Sequence, residues 1–418
     1  MTLQSSGPIR FTEVRNEWFD PHDEVRLSEF LSRDTHAAGS GVLSTMPPGP
    51  LSLGNFYGKS SRYLADILLV GGGGGGGGAE IGPGNNHSSG GGGGGGGVVL
   101  LQNVWLINGY TYNINIGLGG AAGGNDGSRG SDGTSTTMSW ASGQGPDPTN
   151  VTFITARGGG GGGGGSVNRG GRDGLDGSGG MGGSSGGGGG ASNFGGVFNT
   201  GSGGTAGAGG GHRGGNSAAA TNNTEGGGGG GSGLDIAGQV GYAVRGGDAQ
   251  IGSENGTGGD GFLLRVDAMR PAFSGWTMPT PQYFREALAG GGGGGRSTSP
   301  ITKTAGGLDS GGGGAATWEG AGTPNEASAG RSGTGGGGGG ACGADRPNNS
   351  TNSPGDGAQG IVIIRYLLLP VGVQPSYGTV FKGNGIHSDD GLPNNDDGTP
   401  NGSPYAMAIF TRDGIFTA

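Results

Sequence analysis

Cysteine is almost absent from this chain: Cys342 is the only one in 418 residues. That excludes a disulfide framework and any Cys-x-x-Cys metal site. Apolar side chains are scarce as well. Hydrophobic residues other than glycine make up 30% of the chain, against roughly 40% in ordinary globular domains once glycine is left out. A side-chain core running through the whole molecule is therefore not expected. No apolar stretch approaches the ~20 residues that would cross a bilayer as a helix. The start, Met1 to Gly7, has neither the basic segment nor the apolar run of a signal peptide, so synthesis in a cytoplasm without a leader is expected. Basic residues are few: 22 Lys and Arg face 31 Asp and Glu, for a net charge of −9. No basic block exists, so no nucleic-acid partner is expected.

Catalytic and metal-binding patterns are missing too. His22, His36, His87, His212 and His387 are scattered, with no partner at fixed spacing. The stretch Gly54 to Ser60 ends in Gly-Lys-Ser but has the wrong glycine spacing for a phosphate loop and no strong strand before it. Asp389-Asp390-Gly391 and Asn394 to Gly398 offer oxygens, yet neither follows calcium-loop spacing, and they read as solvated turns. Asp173 and Asp176 likewise miss the calcium-binding glycine repeat. The expectation is a protein that is not an enzyme and takes no cofactor or metal.

What is present is glycine, 118 of it, roughly four times the usual share. Three zones separate. Residues 1–62 are charged and poor in glycine pairs, with a short helix expected over Pro21 to Leu31 and a Pro-rich break at 47–50; so small a unit suits an attachment module packed on a partner. Residues 63–366 hold uninterrupted glycine runs: Gly71 to Gly78, Gly90 to Gly97, Gly158 to Gly165, 186–190, Gly226 to Gly231, Gly290 to Gly295, 311–314 and Gly335 to Gly340. Residues 367–418 form a tail rich in Asp, Asn, Pro and Gly. Apolar strands are expected at Ile67 to Val70, Val98 to Ile107, Val151 to Ala156, Phe262 to Val266 and Ile361 to Tyr366. Tyr110 to Ile116 alternates with period two, as a half-buried strand should. Asn108-Gly109 and Asp413-Gly414 each read as a hairpin turn between the apolar segments flanking it.

A flexible linker is the plain reading of glycine runs. A helix is excluded on propensity, at about 1 kcal/mol per residue against Ala. One ordered alternative exists: a left-handed thread of three residues per turn, with ~3.1 Å rise and no internal hydrogen bonds. Every N–H and C=O then serves a neighbouring thread, and the absent Cβ lets threads close in. Three features favour this. The runs are pure glycine rather than Gly/Ser, they have similar lengths, and turn-formers and aromatics punctuate them. Segments such as Gly170 to Gly177 carry glycine at about every third position, as threads on the surface of such a bundle would. The expected fold class is mainly irregular and β: a polyglycine II bundle flanked by short strands, with a small N-terminal module.

Aromatics are few. Trp105, Tyr110 and Tyr112 fall on expected strands, where they would cap the bundle as core. Phe273, Trp276, Tyr283 and Phe284 lie in a Pro-containing insertion between glycine runs, and Trp318 stands isolated. Exposed, such side chains stack on sugars or anchor in a receptor; burial within the fold is the competing reading.

The chain resembles the glycine-rich tail-fibre and tail-tip proteins of bacteriophages, particularly marine phages. Leu3 to Ile9, Arg26 to Phe30 and Leu51 to Gly58 look like their N-terminal module. Leu68-Leu69-Val70 with its glycines, Tyr110 to Gly117 and Ile154 to Ala156 look like the opening of their glycine-rich domain, and Gly360 to Tyr366 like its closing strand. The resemblance implies a virion protein released by host lysis, attached through residues 1–62 to other tail proteins. Its bundle would display loops to a host-surface glycan or outer-membrane protein, and a homotrimer would be a natural assembly. A head fibre, neck appendage or tail spacer is the alternative, and a cellular ice-binding or matrix protein a more distant one.

Overall fold

The computed structural model describes residues 62–80, 87–107, 110–140, 153–166, 170–171, 187–194, 197–205, 211–220, 223–231, 235–236, 239–240, 256–263, 287–297, 305–306, 311, 316–317, 326–343, 353–367 and 405–417. The expected N-terminal module and the 388–398 acidic segment lie outside them. No helix occurs among the described residues. Strands form several small sheets, almost all antiparallel, and between them run long stretches with no regular strand or helix assignment.

Two four-stranded sheets close one end. The first orders Tyr405–Phe410, Ile361–Leu367, Arg62–Val70 and Val98–Ile107; the second orders Gly414–Thr417, Thr111–Asn115, Thr136–Trp140 and Phe153–Ala156. Ile67, Leu69, Val362, Ile364 and Phe410 of the first pack against Tyr112, Ile114, Met138, Ile154 and Phe416 of the second. The other face of the first sheet is also covered: Leu68, Val70, Val98, Ile361, Ile363 and Ile409 cluster with Leu288 and Ala289. A sheet buried on both faces needs continuous apolar strands, whereas one buried on a single face needs alternation. That is why 67–70 reads Ile-Leu-Leu-Val while 111–115 alternates Thr-Tyr-Asn-Ile-Asn. Tyr112 is buried and Tyr110 packs partly against this core; the Trp105 side chain lies outside the described ones.

Both expected hairpins are corrected. Val98–Ile107 pairs with Arg62–Val70, whereas Thr111–Asn115 pairs with Thr136–Trp140, so Asn108-Gly109 links two sheets. The two terminal strands likewise part company at Asp413, one joining each sheet. In each case burying apolar faces against opposite sheets outweighs local turn preference. The last strands thereby complete the core begun at residue 62, instead of forming a separate tail.

The described glycine runs are bonded to one another and to adjoining extended segments. Gly71 to Gly78 donates in a three-residue cycle to three antiparallel neighbours. Gly71, Gly74 and Gly77 donate to the carbonyls of Gly97, Gly94 and Gly91; Gly72, Gly75 and Gly78 to Thr134, Ser131 and Ser128; Gly73 and Gly76 to Ala358 and Gly355. Its carbonyls accept in the same cycle from three parallel neighbours. Gly72 and Gly75 accept from Gly159 and Gly162, Gly73 and Gly76 from Gly120 and Gly123, and Gly74 and Gly77 from Gly338 and Ala341. One thread thus sits among six. Gly90 to Gly97 is surrounded in the same way, bonding to 71–77, 157–163, 227–230, 335–341, Gly188 and 292–295. Donor–acceptor distances within the network run from 2.7 to 3.2 Å, the range of well-formed backbone bonds.

Each ladder runs into its glycine threads without a change of register. Val70 faces Val98, and Gly71 then bonds to Gly97. Val70 also faces Ile361, and Gly73 bonds to Ala358. Thr136 faces Ala156, and Gly133 bonds to Gly159. At the junction the Thr136 hydroxyl donates to the Val70 carbonyl at 2.7 Å and accepts from the Gly117 N–H at 2.9 Å.

Peripheral threads carry their side chains at outward positions and keep glycine at the inward one. Gly117, Gly120 and Gly123 are buried while Leu118 and Ala121 are exposed; Gly130 and Gly133 are buried while Arg129, Ser131, Asp132 and Thr134 are exposed. The turn between these two threads uses Gly127 at φ 72°, which a side chain would strain. Where a thread lacks an outer neighbour, a side chain substitutes: Asp132 Oδ1 accepts the Gly161 N–H at 2.9 Å, and Asp356 Oδ1 accepts the Ala122 N–H at 2.7 Å.

The two ends of the glycine core

The apolar end carries both described chain extremities, Arg62 and Thr417. The pair Phe262–Leu263 and Ala287–Leu288 also belongs here, since Leu288 is part of the apolar cluster. The insertion holding Phe273, Trp276, Tyr283 and Phe284 therefore leaves and re-enters at the end where residue 62 enters. Those four residues lie outside the described ones, and the fold fixes only where their segment is anchored.

The far end is built from polar strands. His87–Ser89 pairs with Ala191–Phe194 and with Cys342–Gly343, Asn223–Glu225 with Arg296–Ser297, and Ala191–Phe194 with Val197–Thr200. At this end the chain reverses between Ala79 and His87, Ser166 and Gly170, Phe194 and Val197, Ala220 and Asn223, Thr317 and Glu326, and Gly343 and Ser353. The connecting segments contain Asn85, Asn86, Asn168, Asn222, Asn325, Asn348, Asn349 and Asn352. Trp318, itself outside the described residues, directly follows Thr317 here.

Beneath these turns the interior is polar. His87, Ser88, Ser89, Ser166, Ser192, Thr224, Glu225 and Arg296 are all buried. The Ser89 and Thr224 hydroxyls bond at 2.8 Å, and Ser166 donates to a Glu80 carboxylate oxygen. One Glu225 oxygen accepts the Gly256 N–H at 3.2 Å; the other faces Arg296 Nε at 4.0 Å. Burial pushes the Glu225 carboxyl up to about 7, with Arg296 and the Gly256 N–H pulling the other way. Burial also lowers His212.

Two residues without a role in the sequence reading stand out. Val197 and Phe198 are 60% and 45% exposed on an outer strand of the far-end sheet. Their only signal is an adjacent apolar pair between Gly196 and Asn199. Among the described residues, no three His, Cys, Asp or Glu side chains gather as a metal site.

The glycines singled out from the sequence, Gly71 to Gly340, lie in the bonded threads wherever described, and nearly all are buried. No family model matches this chain, and neither does any curated protein or solved structure.

Proposed function

We propose that the glycine core is a polyglycine II lattice and that the protein is a phage tail fibre or tail tip, a stiff body with one end for attachment and the other for contact with a host. The three-residue donor cycle supports the lattice. Strand and polyglycine II rises are close, ~3.3 and ~3.1 Å per residue, which accounts for ladders passing into threads in register. The observation that carries the function is the difference between the two ends. The apolar end receives residue 62, and with it the module that would dock on other virion proteins. The opposite end presents polar, Asn-rich reversals on a body with little freedom to bend.

In this reading host contact falls to the far end, with Trp318, Val197 and Phe198 as apolar anchors among the asparagines, a combination suited to a glycan or an outer-membrane protein. Phe273, Trp276, Tyr283 and Phe284 move to the attachment side, where their anchorage favours contact with partner virion proteins. That same anchorage favours the alternative of a non-receptor virion part, because the richest aromatic segment starts at the wrong end for a tip.

Adsorption of the purified full chain to a panel of candidate bacterial cells tests this. Trp318→Ala and the double variant Val197→Ser/Phe198→Ser are expected to lose at least tenfold in binding, with Trp276→Ala unchanged. Loss with Trp276→Ala alone, or no adsorption to any cell while purified virions contain the protein, would leave the non-receptor role standing.

A further inference from the structure

A glycine thread carries no side chain to record its position along a neighbour. Sliding one all-glycine thread by three residues past another restores the donor cycle wherever glycines still overlap, since the bonding repeats every third residue. Sheets suffer this ambiguity wherever a strand lacks a distinctive face. At the apolar end the two-sided packing of 67–70, 98–101 and 361–364 removes it. Tight turns remove it for sequence neighbours, such as Ala218–Ala220 with Asn223–Glu225. Neither device fixes the thread 226–231 against 90–97, 256–261 and 290–295. These neighbours are distant in sequence, and residues 226–231 contribute nothing to the described apolar clusters.

We propose that the buried polar residues at the head of that thread are its register key, and that their role is to exclude slipped pairings. Three contacts converge there. The Ser89–Thr224 hydroxyl pair sets 226–231 against 90–97. Glu225 opposite Arg296 sets it against 290–295, the two residues being direct register partners. Glu225 accepting the Gly256 N–H sets it against 256–261. A three-residue slip removes all three contacts together and parts the buried Glu225 carboxyl from the Arg296 guanidinium that faces it. Removing one partner from a buried ion pair is far more costly than forming the pair is favourable. The cluster therefore discriminates strongly between registers while adding little net stability, and one buried polar group fixing register is the best-attested use of such residues.

The test uses the full chain, with spin labels on Ala220→Cys and Thr317→Cys. These residues end the two outer strands of the sheet that joins 218–220, 223–225, 296–297 and 316–317. With the native key, one interlabel distance population is expected. With Ser89→Ala, Glu225→Ala and Arg296→Ala together, a slip of about 9 Å along the thread axis, three residues of thread, is expected to add a second interlabel population at longer distance. Glu225→Gln alone, which keeps an acceptor for Gly256, should leave a single population. If the triple variant fails to fold, Glu225→Leu with Arg296→Met in the Ser89→Ala background fills nearly the same volume without the polar contacts and is read in the same way. A single native population in a folded variant lacking the key would overturn the proposal.

Discussion

Adding one methyl group to the middle of a thread gives the sharpest test of the glycine core. A Cβ on Gly74 would stand closer than 3.0 Å to the carbonyl oxygen and carbon of Gly160, both backbone atoms that cannot rotate away. The thread 158–165 would have to retreat from 71–78, and the bonds from Gly159 to Gly72, Gly162 to Gly75 and Gly165 to Gly78 would weaken together. At a net ~1 kcal/mol each these come to roughly 3 kcal/mol. Overpacking adds about 1–3 kcal/mol, and the stiffer unfolded chain returns about 0.4–1. Gly74→Ala is thus expected to cost roughly 3–5 kcal/mol, a large part of the ~5–15 that holds a typical fold. Gly161→Val meets the carbonyl of Gly130 on a peripheral thread, which can yield outward; although Val is larger, part of its cost is relieved. Ala121→Ser, on an exposed position of the thread 117–124, should stay within about 0.5 kcal/mol. Denaturant unfolding followed by circular dichroism measures all three. Equal stability of Gly74→Ala and Ala121→Ser would refute close packing of the threads, and with it the stiff body on which the functional reading depends.

Amide exchange should be slow at Gly74, Gly77, Gly93 and Gly94, whose N–H groups are bonded inside the core, and exchange at random-peptide rates would contradict the bonding pattern. The buried Glu225 gives a pH dependence. Its folded value of about 7 lies above the ordinary 4.5, so the folded state holds a proton that the unfolded state releases, and this contribution is lost as pH rises from 4.5 through 7. Melting temperature should therefore carry a downward component over that window, and Glu225→Gln should remove it; an unchanged pH profile in the variant would count against burial of a protonatable carboxyl. Phe416 is fully buried between Tyr112 and Phe410, at ring separations of 6.5 Å. Phe416→Ala is expected to cost about 3–5 kcal/mol in chemical denaturation, and a cost below 1 would mean that the last strand does not close the core.

Much of this architecture is legible in the residues themselves. A pure run such as 71–78 suits a fully surrounded thread, and in the structure a Cβ anywhere along it would meet a neighbouring backbone. The every-third glycines of 117–133 mark a thread with one face to solvent. Burial on both faces is written into Ile67-Leu68-Leu69-Val70, and burial on one face into the alternation of 111–115. What the residues could not reveal is which thread lies beside which. Glycine has no side chain to choose a partner, so identical runs are interchangeable until the strands at their ends are paired. Local turn signals at Asn108-Gly109 and Asp413-Gly414 were overridden for a different reason: the strands they join bury their apolar faces against each other from opposite sheets. The grouping of Ser89, Thr224, Glu225 and Arg296, drawn from three distant stretches of chain, and the anchorage of the aromatic insertion at the same end as residue 62 follow from that pairing alone. Composition determined that backbone would pack on backbone; only the assembled lattice decided where its few side chains meet.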